Sequence, residues 1–269
     1  MTTELRVLPI VGLPEVTEGM KVGQLIAERA ELQDGDIVVI SQKIVSKAEG
    51  QLRKLSEIDP SEQAKEMGKE LGKEAAFIEL VLSESREMLR AERGILITET
   101  HHGFVCANAG IDSSNLPEDG TVCLLPKNPD ASARQIRAEL EPRVEEPGVG
   151  VAGPSPLLSA DPHPRLPPAV VITDSFGRAW RLGQAEVAIG CAGLVPLDDW
   201  RGRPDTSGRE LKATEIAIAD EVAAGADLVR KKDSGVPAVV VRGLGEYVTA
   251  EDGPGAVALR RSPTEDLFR

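Results

Sequence analysis

Residues 169–178 read Ala169-Val170-Val171-Ile172-Thr173-Asp174-Ser175-Phe176-Gly177-Arg178, with Trp180 and Arg181 just beyond. Ala169 to Thr173 is an apolar run of strand length with no polar alternation. Such a run predicts a strand covered on both faces. The run ends on a carboxylate. A strand is rigid and its end opens to a crevice, so Asp174 is placed to meet a hard cation, with Ser175 as a further oxygen donor. Arg178 and Arg181 are placed to grip phosphate or carboxylate. A strand-to-turn connection with a solvated Asp accounts for the same residues, and the two readings stand level.

Two similar runs lie elsewhere. Ile37 to Ile40 follows the turn signal Asp34-Gly35-Asp36, and Pro237 to Arg242 reads PAVVVR. Leu5 to Ile10 is a shorter strand, stopped by Gly12-Leu13-Pro14. Strands are also predicted over 94–98, 104–107 and 122–125. Val187 to Val195 is small, apolar and glycine-containing. Helical spacing predicts helices over 22–32, 61–68, 74–83 and 130–140, the last capped by Asp130 or Ser132. The longest helical pattern runs from 207 to 229, with Ser207 as N-cap and Glu210 at capping-box spacing. Strands and helices alternate irregularly. That predicts α+β, with mixed or antiparallel sheets and flanking helices, rather than a doubly wound sheet.

The chain has 269 residues, with 31 Lys+Arg against 44 Asp+Glu and a net charge of −13. This balance argues against nucleic-acid partners, whose phosphates need clustered cations. It leaves nucleotides open, because carboxylates hold metal-bridged phosphates. Aromatics are only 3%, so base-stacking platforms are not expected. No apolar run reaches about 18 residues, so no membrane span is expected. The N-terminus lacks the features of a signal peptide. Cys106, Cys123 and Cys191 match neither a disulfide framework nor a zinc site and read as buried apolar residues of a cytoplasmic protein. Length allows about two domains. We expect one module over 1–269, with two subdomains possible. It is interrupted near 142–168, where eight prolines fall. That stretch reads as a flexible surface insertion, or alternatively as a lid or partner-binding loop.

Asn108-Ala109-Gly110-Ile111-Asp112-Ser113-Ser114-Asn115 follows a strand. Asp112 either caps the turn or offers its carboxylate to a divalent cation. Ser41-Gln42-Lys43 to Lys47 follows the buried run 37–40. Lys47 is a candidate point charge for phosphate, or a solvated lysine. There is no P-loop, and Gly243-Leu244-Gly245 lacks the third glycine of a dinucleotide fingerprint. His101 and His102 are a tempting metal pair, but adjacent residues on a strand point to opposite faces, which disfavours a shared metal.

Taken together, LPIVGLPEV (8–16), VVISQKIVSKAEG (38–50), NAGIDSSN (108–115), VVITDSFGRAWRLG (170–183), IGCAGL (189–194), DWRGRPDTSGREL (199–211) and PAVVVRGL (237–244) resemble the coenzyme F420-0:L-glutamate ligases. The resemblance covers most of the chain outside the proline-rich stretch and the last residues. It implies an unusual α+β ligase fold in an intertwined homodimer, and addition of L-glutamate to coenzyme F420-0 with GTP converted to GDP and phosphate. Mg²⁺ or Mn²⁺ at two sites is implied, with K⁺ assisting. Carried over by motif, Asp112 and Asp174 ligate the first metal and Ser175 the second. Leu13, Pro14, Glu15, Val16, Ser41, Gln42, Lys47 and Asn115 contact the nucleotide. Lys47 and Arg178 offset phosphate charge during catalysis. The loop 229–236 closes over the nucleotide, and here the chain departs from the family. A metal-ligating Glu or Gln is expected near Lys231, which cannot ligate while protonated. Either Asp233 substitutes, or Lys231 or Lys232 supplies the charge. Two other readings keep the motifs: ligation to another carboxylate acceptor, or a non-catalytic nucleotide- or deazaflavin-binding homologue.

Overall fold

The computed structural model describes residues 4–116, 118–140, 166–262 and 264–267. The predicted insertion near 142–168 lies outside them except for Leu166, Pro167 and Pro168. The chain begins with β1 (Arg6–Pro9), α1 (Val22–Ala27), β2 (Ile37–Ser41), α2 (Gln42–Ala48) and β3 (Leu52–Lys54). Helices α3 (Glu62–Leu71) and α4 (Ala75–Ser83) precede β4 (Ser85–Glu92), β5 (Ile95–Thr100), β6 (Val105–Ala107) and β7 (Thr121–Cys123). After α5 (Pro129–Leu140) come β8 (Ala169–Arg178), β9 (Arg181–Ala192), β10 (Asp198–Asp199), β11 (Glu215–Ile216), α6 (Ile218–Arg230) and β12 (Ala238–Arg242). Among the described residues, no helix is long and apolar enough to cross a membrane.

The central sheet has the order β1-β12-β2-β8-β9. Only β2 and β8 run parallel; the other pairs are antiparallel. Alternate residues of the inner strands feed two cores. Val38, Ile40, Val170, Ile172 and Val240 pack with Ile26 of α1 and Ile136 of α5. Ile37, Val39, Val171, Val239 and Val241 pack with Val222 and Ala226 of α6. Covering both faces is why these strands read as unbroken apolar runs. A third core joins Ile78 and Val81 of α4, Leu96 of β5 and Val122 of β7. The mixed α+β architecture is therefore the one expected.

Several boundaries differ from expectation. The helix predicted over 207–229 starts only at Ile218. Asp205 Oδ1 accepts the backbone N–H groups of Ser207 and Arg209, both at 2.8 Å, and Gly208 has φ +78°. A local Asx turn thus consumes the donors that a helix would start from. The helix predicted over 22–32 stops at Ala27. Asn128, rather than Asp130 or Ser132, caps α5 by accepting from Ala131 N at 3.0 Å. Asp130 instead accepts from Cys191 N (2.9 Å) and Ala256 N (2.7 Å). The hairpin β8–β9 is longer than the apolar runs suggested, because its outer half is exposed.

Strand direction fixes where the loops meet. Ser41 lies opposite Thr173 in the parallel pair. Ala238, at the start of β12, lies opposite Ile40, and Pro9, at the end of β1, lies opposite Val239. The segments that follow β1, β2 and Thr173 of β8, and the one that precedes β12, therefore converge at one end of the sheet.

Candidate active site

These segments, joined by residues 106–115, enclose a cavity of about 770 Å³. Leu13, Pro14, Glu15, Val16, Ser41, Gln42, Lys47, Asp112, Asn115, Asp174 and Ser175 all line it. These residues, up to 162 positions apart in the chain, from Leu13 to Ser175, thus line one cavity. Arg178 does not line it. It stands four residues beyond Asp174, roughly 13 Å along the strand. There it is exposed and donates to the Leu182 carbonyl at 2.7 Å. The geometry leaves Arg178 no part in the cavity, and Arg181 is likewise outside it.

The carboxylates differ in their surroundings. Asp112 forms an isolated bridge with Cys123. Its Oδ1 accepts from Ser114 N (2.7 Å), and its Oδ2 accepts from Ser114 Oγ (2.8 Å) and Lys43 Nζ (2.7 Å). Burial pushes its pKa up, but Lys43 and Ser114 together outweigh that and hold it below the ordinary value. Asp174 is pushed up from 3.8 to about 7, by burial first, then by Glu186 and, more weakly, by Asp112. The Ser175 N–H on its carboxylate opposes the rise.

Beside Asp174 a buried network ties three elements together. Glu186 of β9 accepts from Thr173 Oγ1 (2.5 Å), from Ser175 Oγ and from Arg230 Nη2 (2.7 Å). Burial raises the Glu186 pKa, but Arg230, Ser175 and Thr173 prevail and lower it overall. From the loop after α6, Lys232 Nζ reaches Ser175 Oγ at 2.7 Å. Lys231 and Asp233 line the cavity too, but Lys232 is the residue that meets Ser175. Lys47 is buried and pairs with Glu15 Oε1 at 2.5 Å. The turn before Asp112 is left-handed at three successive residues, with φ +52° at Asn108, +53° at Ala109 and +72° at Gly110. Such clusters of costly backbone conformations concentrate at functional sites.

The donor set fits a hard divalent cation. Two carboxylates face one cavity, and Asn108 Oδ1 is buried there with no hydrogen-bond partner among the described residues. Among those residues no group of three or more His, Cys, Asp or Glu could enclose an ion. Few protein ligands, with the remaining positions left to water and substrate oxygens, is the usual pattern for Mg²⁺. His101 and His102 bond different carbonyls, Ser83 O and Pro126 O, both at 2.9 Å. All three cysteines are free and buried. Burial pushes the Cys106 and Cys191 thiols up to about 12 and Cys123 to about 11, which leaves them without nucleophilic character.

Lys43 fell within the polar stretch 41–47 that the sequence placed after a buried strand, but no role was assigned to it. Glu186 and Arg230 did not stand out as site residues in the sequence, because their meeting depends on the β8–β9 register and on the packing of α6.

A carboxylate-and-lysine cavity at the end of a sheet is suited to an enzyme that handles phosphate, and the sequence comparison narrows this to a class of ligases. The family model described as F420-0:Gamma-glutamyl ligase matches residues 11–152 and 163–243. The chain belongs to that family. It is 42% identical over 267 residues to the coenzyme F420:L-glutamate ligase of Methanopyrus kandleri, covering 98% of each chain. It is 40% identical over 267 residues to that of Archaeoglobus fulgidus, covering 98% of this chain and 96% of the relative. The corresponding Methanocaldococcus jannaschii ligase is 38% identical over 274 residues, covering 100% of both.

Proposed function

We propose that this chain joins L-glutamate to coenzyme F420-0 by an amide bond, at the expense of GTP and with the help of Mg²⁺ or Mn²⁺. The observation that carries this reading is the meeting of Asp112 and Asp174 in one lysine-lined cavity, in a chain that matches F420:L-glutamate ligases along its whole length.

A carboxylate is a poor electrophile. In this reading the acceptor carboxylate attacks the terminal phosphorus of GTP, GDP leaves, and an acyl phosphate results. The glutamate amine then attacks the acyl carbon and phosphate departs. The protein's part is to position the reactants and neutralise charge on the transferring group. Asp112 and Asp174 hold the divalent ion, whose positive charge supplies most of that neutralisation when bound. Lys47 adds fixed positive charge from the cavity wall. Leu13 to Val16, Ser41, Gln42 and Asn115 orient the nucleotide. The loop that carries Lys232 covers the cavity and keeps water from the acyl phosphate. K⁺ assistance and a homodimer belong to the same reading. So does a cytoplasmic location, where the nucleotide is supplied. At Ser175 the family pattern implies a second metal; in this chain Lys232 supplies from the protein itself the positive charge that such a metal would supply.

The test is incubation with F420-0, L-glutamate, GTP and Mg²⁺ or Mn²⁺, followed by mass spectrometry. Products heavier by glutamyl units, with GDP formed and Asp112→Ala and Asp174→Ala inactive, are expected. Folded protein that adds no glutamate under either metal sinks the proposal.

A further inference from the structure

Lys43 lies on the first turn of α2, and its ammonium is saturated. It donates to Asp112 Oδ2 (2.7 Å), to the Ser114 carbonyl (2.7 Å) and to Ser114 Oγ (3.1 Å). Asp112 Oδ2 also accepts from Ser114 Oγ, while Oδ1 takes the Ser114 N–H. A carboxylate oxygen has two lone-pair directions, so both directions on Oδ2 are filled. A divalent cation can coordinate Oδ2 only if one donor leaves. Oδ1 takes one donor and keeps a direction open, but a cation bound there shares the carboxylate with the ammonium about 5 Å away and is repelled by it. An ammonium and a divalent ion sharing one oxygen repel strongly, whereas a hydroxyl can turn to accept. The lysine is therefore the donor that leaves, and its flexible stem lets it. The buried lysine of the cavity, Lys47, is already paired with Glu15.

We propose that Lys43 is an exchangeable counter-ion: it holds Asp112 while no divalent cation is bound, and on metal binding its ammonium transfers to a phosphate oxygen of the nucleotide. This rests on the metal reading of Asp112 given above. The rival is a permanent staple between α2 and the loop 112–115, and the two differ in sign. Removing a competitor tightens metal binding, whereas removing a staple loosens it.

The test measures Mn²⁺ binding by electron paramagnetic resonance without nucleotide, on wild type, Lys43→Met and Asp112→Asn, each shown to be folded. Lys43→Met should bind Mn²⁺ about tenfold more tightly than wild type, and should bind GDP in the presence of Mg²⁺ about tenfold more weakly. Unchanged or weaker Mn²⁺ binding by Lys43→Met, with binding lost in Asp112→Asn, overturns the inference alone. Wild-type Mn²⁺ affinity in Asp112→Asn overturns the metal reading and the inference with it. If Lys43→Met does not fold, wild-type protein answers the question. Acetylation of Lys43 by acetic anhydride, followed by mass spectrometry, should speed up about threefold on adding Mg²⁺ and slow on adding GDP. An unaltered rate overturns the inference.

Discussion

The two ends of the central sheet handle a carboxylate in opposite ways. At the end where β2 begins, Asp36 is wholly buried and fully answered. Arg242 donates Nε to Oδ1 and Nη2 to Oδ2, both at 2.8 Å, and Gln33 N donates to Oδ2 at 2.7 Å. At the end where β8 opens, Asp174 faces Glu186 and Asp112, and its hydrogen bond comes from the neighbouring Ser175 N–H. One sheet thus carries a bidentate ion pair that locks strand ends together and a carboxylate left short of positive charge. The satisfied group is the kind that stabilises a fold. The unsatisfied one is the kind that awaits a ligand.

The comparison breaks if the two carboxylates respond alike to substitution. The largest effect is expected for Asp174→Asn, which should lower glutamylation by about 10³-fold, roughly 4 kcal/mol. Steady-state rates check the loss, and thermal melting should show no loss of stability. Asp36→Ala should do the reverse. Losing the buried carboxylate that Arg242 and the Gln33 N–H share should cost about 2 kcal/mol, less than for a wholly buried pair because the guanidinium is partly exposed, measured by urea unfolding, with Mn²⁺ affinity retained.

The pH dependence sharpens the contrast. Asp174 titrates at about 7 when folded, against 3.8 ordinarily. The folded chain therefore keeps a proton that the unfolded chain has released between those values. This group's stabilising contribution is complete below about pH 4 and is lost as pH rises through 7. Without divalent ions, Asp174→Asn should therefore be more stable than wild type at pH 8 but not at pH 4. The gain is expected to be about 1–2 kcal/mol, well under the roughly 4 kcal/mol that the full shift sets as a ceiling, since the cavity side of the carboxylate meets water. Urea unfolding at the two pH values checks this; equal gains at both would remove Asp174 as the source. The smallest effect is expected for Arg178→Ala, less than about threefold on turnover and within about 0.5 kcal/mol on stability. A loss of a hundredfold would return Arg178 to the reaction.

Much of this protein was legible in its sequence, for a physical reason. Residues 37–40 of β2, 169–172 of β8 and the valines of β12 are covered on both faces, so each had to be apolar at every position, and a continuous run announces itself. Asp174 follows such a run directly, and Asp112 sits on a glycine-containing turn. Both carboxylates could therefore be picked out before any contact was known, and the family motifs could be matched along the chain. The exposed half of β9 and the start of α6 were not legible. Arg181 to Gln184 are held in a strand by pairing with β8 rather than by their own pattern, and the capping-box spacing at Ser207 was overridden by the Asx turn of Asp205. Only the tertiary structure decided that Lys43 occupies Asp112, that Arg230 and Glu186 meet behind Asp174, and that Arg178 falls outside the cavity. Such contacts depend on strand direction, register and helix packing between residues far apart in the chain. Local spacing carries no record of them.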